Sequence, residues 1–298
     1  MNTIQAIEKS RVSRRSFLSG LGITAGASAA ITLAGCGGSS MSSTSTPPSS
    51  TLTDADVLNF ALNLEYLEAE FYLRAATGTG LSSTDAGSGA GTVTGGAQVP
   101  FKTQAIQEYA MEIANDELAH VRFLRSALGS AAVSRPAIDL TNSFNAAAMA
   151  AGIGSSFNPF ADEDSFLVGA FTFEDVGVTA YHGAAGLLTS KTNLAAAAGI
   201  MATEAYHAAE IRTLIAGLGG AYVTYANQIS TLRSAAGGGN ETSVSGSTIV
   251  ASDMNSIAYD RTTDQVLHIV YLSAAAGIVK SGGFFPNGLN GKISASAS

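Results

Sequence analysis

Glu112-Ile113-Ala114-Asn115-Asp116-Glu117-Leu118-Ala119-His120-Val121-Arg122-Phe123-Leu124 is the stretch whose reading decides the fold. On a helix, residues three apart project from successive turns of one face, so Glu117 and His120 point the same way. Thr203-Glu204-Ala205-Tyr206-His207-Ala208-Ala209-Glu210 repeats the spacing in a second alanine-rich stretch of helical period. The chain has 4 histidines, and two of them follow a glutamate at this interval.

Around these pairs the pattern predicts an all-α chain. The first pair lies in a helix that starts after Pro100, at about Phe101, and closes at Leu128 before Gly129. Upstream, a helix starting at Thr53 or Asp54 runs through Tyr72, with Asp56 in its first turn and an apolar stripe through Leu58, Ala61, Leu62, Ala69 and Tyr72. Glu65 lies in that stripe and Glu70 outside it. Thr77 to Gln98 is Gly/Ser/Thr-rich and predicts a long surface loop with room for a short hairpin.

Downstream, a long connection holds a short helical piece near Phe144 to Ala151, as suits a four-helix bundle with one crossover. Asp162-Glu163-Asp164 starts a third helix carrying the apolar run Phe166 to Leu188 with Glu174 inside it. Thr192 or Asn193 caps the fourth, which ends at Gly217 to Gly220. A fifth helix is expected from Thr263 to about Val279, and the tail Gly283-Phe284-Phe285-Pro286-Asn287-Gly288 is expected to dock on the bundle. The domains are then residues 1–36, an export signal; 37–52, a Ser/Thr/Pro tether; 53–219, the bundle; and 220–298, a C-terminal extension.

The N-terminus reads as targeting. Ser13-Arg14-Arg15-Ser16-Phe17-Leu18 is a twin-arginine pattern before a Gly/Ala-rich apolar segment, and Leu33-Ala34-Gly35-Cys36 resembles a lipoprotein cleavage box. These motifs predict export to the periplasm or cell envelope, with Cys36 lipidated as the membrane anchor. Since Cys36 is the only cysteine, the remainder has neither disulfide nor thiolate chemistry. Removal of residues 1–35 takes four positive charges and one negative and moves the net charge from -8 to -11. So acidic a chain excludes nucleic acid as a partner.

Charge is scarce, at 13% of residues, so carboxylates inside apolar runs need a reason. A Glu from each of two helices and Glu-x-x-His from each of two others is the donor set of a carboxylate-bridged two-metal site. Four carboxylates, Glu65, Glu117, Glu174 and Glu204, balance two divalent cations, and His120 and His207 add neutral nitrogen donors. Glu68, one turn from Glu65, and Asp175, beside Glu174, are rival ligands, less favoured by stripe position. Tyr72, Tyr181 and Tyr206 are candidates to hydrogen-bond the ligand carboxylates, and Glu210 to support His207 from the next turn. Asp116 is expected in solvent, and His182 and His268 at ordinary packing positions.

Asn63-Leu64-Glu65-Tyr66 with Tyr72 is similar to the first ferroxidase helix of ferritins. Glu117-Leu118-Ala119-His120 and Glu204-Ala205-Tyr206-His207 are similar to the Glu-x-x-His helices of rubrerythrins and bacterioferritins. Over residues 53–219 the chain therefore resembles the ferritin-like superfamily. Asn59 to Glu65, Phe173 to Tyr181, Asp264-Gln265-Val266-Leu267 and Gly283 to Gly288 extend the resemblance to exported ferritin-like proteins grouped with plant desiccation-related proteins. The resemblance implies two iron ions, or alternatively manganese, bridged by Glu117 and Glu204. Glu65 and Glu174 would be terminal ligands, and His120 and His207 would bind one ion each. It also implies a metal oxidoreductase acting on ferrous iron with dioxygen, or on peroxide. The non-catalytic alternative is an envelope stress protein whose site is structural or vacant.

Overall fold

The computed structural model describes residues 52–246, 248–274 and 276–297. The twin-arginine segment, Cys36 and nearly all of the tether lie outside them.

Helix α1, Asp54–Thr77, starts at a reciprocal cap: the Thr53 hydroxyl accepts from the Asp56 backbone N–H, and the Asp56 carboxylate accepts from that of Thr53. It ends at Gly78, whose φ of 81° is the left-handed conformation that stops a helix. Every residue from Leu62 to Tyr72 is buried, because α1 is enclosed all round rather than packed along one stripe. Glu70 is buried for the same reason, and it is neutralised by Arg74 at 2.9 Å and by Arg135.

The Gly-rich stretch that follows contains a short helix α2, Ser83–Ala86, and strand β1, Val93–Thr94. In place of a hairpin, β1 pairs in parallel with the distant β2, Ile138–Asp139, with Val93 opposite Ile138. Helix α3, Gln104–Leu128, packs along α1. The crossover carries α4, Asn142–Ala151.

The expected third helix is broken in two. After α5, Glu163–Phe171, the N–H groups of Thr172 and Phe173 bond back three residues, to Gly169 and Ala170, and α6, Glu174–Ala185, starts afresh. Neither glycine nor proline marks the break, so the apolar run conceals it. What holds it is remote: Arg233 Nη1 donates to the Phe171 carbonyl at the end of α5.

Helix α7, Lys191–Leu218, packs along α6 and is capped by Ser190 rather than by Thr192 or Asn193. Asn193 instead joins the Thr189 and Ser190 N–H groups on the Asp54 carboxylate, tying the starts of α1 and α7 together. Residues 220–236, to which the sequence pattern assigns no element, form α8, Gly220–Ala236. Its start is masked in the sequence by Gly219 and Gly220, both at positive φ, which read as a chain stop. The last helix, α9, Thr263–Val270, ends well before Val279. Among the described residues no helix is long and apolar enough to cross a membrane.

Aromatic packing seals the end of the bundle near Phe71, whose ring lies within 5.1 to 5.7 Å of Tyr72, Phe144, Phe160, Phe166 and Phe173. The tail docks there, Phe284 contacting Phe144 and Phe173.

Beside the break lies a buried ionic chain. Asp175 Oδ2 accepts from Arg212 and Arg233 at 2.9 Å each, and Glu241 joins Arg233 at 2.8 Å to Arg261 at 2.7 Å. All three arginines are within 2% of full burial. Removal of one partner from such a group strands buried charge. Asp175→Ala is expected to cost about 3–5 kcal/mol of stability in equilibrium urea unfolding. A loss below about 1 kcal/mol, the range of surface pairs, would contradict this account of the break.

Candidate metal centre

Four helices each send a carboxylate to one interior point: Glu65 from α1, Glu117 from α3, Glu174 from α6 and Glu204 from α7. All four are buried to within 1%. The two histidines reach the same place, because α3 and α7 each present their Glu and His from successive turns of one face. His120 Nδ1 lies 3.2 Å from Glu65 Oε2, 3.4 Å from Glu117 Oε2 and 3.5 Å from Glu204 Oε1. His207 Nδ1 lies 3.2 Å from Glu117 Oε1 and 3.4 Å from Glu174 Oε2.

These donors form two overlapping groups, Glu65, Glu117, His120 and Glu204, and Glu117, Glu174, Glu204 and His207. Within each, the ligating atoms lie within 4.8 Å of one another. Glu117 and Glu204 belong to both.

Two tyrosines hold the outer carboxylates crosswise. The Tyr72 hydroxyl on α1 donates to Glu174 Oε1 on α6, and the Tyr181 hydroxyl on α6 donates to Glu65 Oε1 on α1. Because residue 72 meets 174 and residue 65 meets 181, α1 and α6 run antiparallel. Tyr206 takes no part, being 76% exposed. Nor do His182 and His268, whose Nδ1 atoms lie near the carbonyls of Tyr259 and Ser273.

Asp175, the rival to Glu174, is committed to the arginine chain. Glu68, the rival to Glu65, is buried beside the cluster without a hydrogen bond or ion pair, and belongs to neither donor group. Glu210 is half-buried and forms no ion pair. Its carboxyl pKa is raised by burial and by Glu112. Asp116, expected in solvent, is only partly there: its carboxylate lies 3.2 Å from His207 Nε2, turning Nδ1 inward. Its place four residues before His120 on α3 gave no hint, since the contact is made across helices.

The residues expected for a ferritin-like bundle thus meet in its interior, and a family comparison agrees. Residues 53–217 match the ferritin-like domain model. The chain belongs to the ferritin-like domain family.

Two relatives extend the likeness beyond the bundle. The desiccation-related protein PCC13-62 of Craterostigma plantagineum is 30% identical over 269 residues, covering 80% of this chain and 84% of that protein. The ferritin-like catalase Nec2 of Nesocodon mauritianus is 29% identical over 274 residues, with coverage of 80% and 84%.

The interior of this ferritin-like bundle suits cations. Both oxygens of Glu117 and of Glu204, Glu174 Oε2 and His207 Nδ1 are buried with no hydrogen-bond partner, although Glu117 Oε1 and His207 Nδ1 are only 3.2 Å apart. Close approach without hydrogen-bond geometry is what lone pairs directed at a shared ion require.

Electrostatics point the same way. Burial raises the Glu65 carboxyl, against the pull of His120, to about 7. Burial and the charge of Glu117 push Glu204 well above the usual carboxylate range. For Glu117, burial is outweighed by the close approach of both histidines, which holds it down at about 2. Burial alone would lower the His207 pKa, but Glu174 and Glu117 overcome it and push it up to about 12. His120 is raised as well, by Glu65, Glu117 and Glu204. With no cation, then, the surrounding carboxylates favour the protonated form of both histidines.

A cation must displace those protons, since imidazole binds metal only when neutral. Binding of Mn²⁺ is therefore expected to release protons and to weaken as pH falls from about 8 to 6. Calorimetric titration in buffers of different ionisation enthalpy measures the release. A pH-independent affinity with no proton release would show that the histidines are not ligands.

Proposed function

We propose that the chain is an exported, lipid-anchored redox protein that holds two iron or manganese ions and turns over hydrogen peroxide. The observation that carries this reading is the membership of Glu117 and Glu204 in both donor groups, the arrangement that bridging requires. Glu65 and His120 complete one ion's ligands, and Glu174 and His207 the other's. Four carboxylates cancel the charge of two divalent cations, removing the mutual repulsion that raises Glu204.

Ions that cycle between divalent and trivalent states supply the redox equivalents for converting two hydrogen peroxide molecules to one dioxygen and two waters. The chain's own groups prepare for that chemistry. Tyr72 and Tyr181 fix the outer carboxylates, Asp116 orients His207, and the surrounding apolar core excludes bulk water. The name of the Nesocodon relative, a ferritin-like catalase, supports peroxide as substrate. Oxidation of ferrous iron by dioxygen is the other reaction such a donor set supports. The donor set serves iron and manganese alike.

The name of the Craterostigma relative supports a second reading, a stress protein without turnover. Protein purified after native export is expected to hold about two Fe or Mn per chain and to evolve dioxygen from peroxide. A Glu117→Ala, Glu204→Ala double variant is expected to lose both properties. Full metal content with neither dioxygen evolution from peroxide nor uptake with ferrous iron would select the stress reading, and a metal-free wild type would remove the centre altogether.

Export by the twin-arginine route and anchoring at Cys36 are supported by Ser13 to Leu18 and Leu33 to Cys36. Cys36→Ser is expected to move the protein from the detergent phase to the aqueous phase on Triton X-114 partition. No change in partition would exclude the anchor.

A further inference from the structure

A small, largely apolar cavity adjoins the cluster, lined by α1, α4, the start of α6, α8, α9 and the tail. Its volume is about 40 Å³, and Leu67, Phe173, Val176 and Phe284 line it. Its outer residues are the half-buried Leu232, Ala236 and Leu272. Leu272 is held there at a φ of 53°, in the left-handed region that disfavours a bulky side chain.

At the inner end are Glu68 and Gly177. Glu68 is the one buried carboxylate beside the cluster that has neither a bonding partner nor a place in the donor groups. Gly177 has no side chain, and the Glu204 carboxylate packs into the space that one would take. A Cβ there would lie 2.4 Å from Glu204 Oε2 and 3.4 Å from Glu68 Oε1. A carboxylate shared by both donor groups therefore lies directly against the backbone that lines the cavity.

Size and lining define the occupant. One water needs roughly 10–15 Å³ of such volume together with two to four polar partners, and an apolar cavity of this kind stays dry and takes gases such as xenon. The polar side chains of the lining are Glu68, Thr172, whose hydroxyl donates to the Val168 carbonyl, and Arg233, whose guanidinium is bound to Phe171, Asp175 and Glu241, and 40 Å³ is too little for a hydrocarbon chain or an aromatic ligand.

We propose that this cavity is a dioxygen chamber serving the metal centre where Gly177 lets the Glu204 carboxylate lie against the cavity wall. The proposal rests on the redox reading above, in which dioxygen is either the product made from peroxide or the oxidant of ferrous iron.

Xenon-pressurised crystals test the chamber without reference to metal. A xenon atom between Leu67, Val176 and Phe284 is expected in wild type and in metal-free protein, and is expected to vanish in Ala236→Leu. Leu232→Phe, one turn earlier on α8, is the second blocking variant should Ala236→Leu fold poorly. In ferrous-loaded protein either variant is expected to keep its full metal content while kcat/KM for dioxygen falls roughly tenfold. Absence of xenon from the wild-type cavity, or an unchanged dioxygen dependence in a variant that has lost its xenon, would overturn the chamber. Loss of metal binding with xenon retained would overturn only the redox reading and leave a gas-binding cavity.

Discussion

Repulsion among carboxylates buried at one point is the constraint on which the rest of the structure depends. Glu65, Glu68, Glu117, Glu174 and Glu204 all lie within the bundle, and burial alone pushes their pKa values up. A buried ionised carboxylate without compensation would cost several kcal/mol, a large part of the stability of any domain. In the metal-free fold two imidazolium groups supply the compensation and only Glu117 is drawn below its ordinary range. Two divalent cations would replace two protons with four positive charges. The helices therefore enclose a cluster whose charge bound cations would balance.

Holding such a cluster together calls for restraint from outside it, and the chain uses groups far apart in sequence. The crossed tyrosine bonds fix α1 against α6, so neither outer carboxylate can swing away from its neighbours. The break between α5 and α6 sets the start of α6 at Glu174. Arg233 stabilises that break from α8, bonding both the Phe171 carbonyl and Asp175. Asp175 is thus kept from the centre by its arginines, while the adjacent Glu174 faces inward. Two neighbouring acids on one helix turn have separate duties because each meets a different set of partners.

The parts legible from sequence are those written at helical spacing. Glu117 with His120 and Glu204 with His207 stand on long uninterrupted helices, and Glu65 lies in an apolar stripe, so local periodicity brings them toward the interior. The tyrosines at 72 and 181 carried a signal of the same kind: each stands seven residues after an outer glutamate, two turns along one face. Contacts between distant segments carried none. Nothing near Phe171 announces a break, because the arginine that holds it is at position 233. Nothing near Glu70 announces burial, because Arg135 comes from the crossover. Helix α8 was hidden by the two glycines at its start, which are the ordinary mark of a helix end.

The repeated pattern, an outer Glu with its Tyr seven residues later and then a Glu-x-x-His helix, gives the centre an approximate two-fold relation between the α1–α3 and α6–α7 halves. One position breaks it. Three residues past Glu65 stands Glu68, and three past Glu174 stands Gly177. A second glutamate could not occupy position 177, since even its Cβ would press to 2.4 Å from Glu204 Oε2. The Glu204 carboxylate on α7 thus requires the glycine on α6, and the two halves are not chemically alike at this position. The asymmetry coincides with the apolar cavity, on whose inner wall both residues lie. Asp116, half in solvent, is bonded to His207. A single Glu–Gly difference between the halves therefore puts a carboxylate on one and bare backbone, packed by Glu204, on the other.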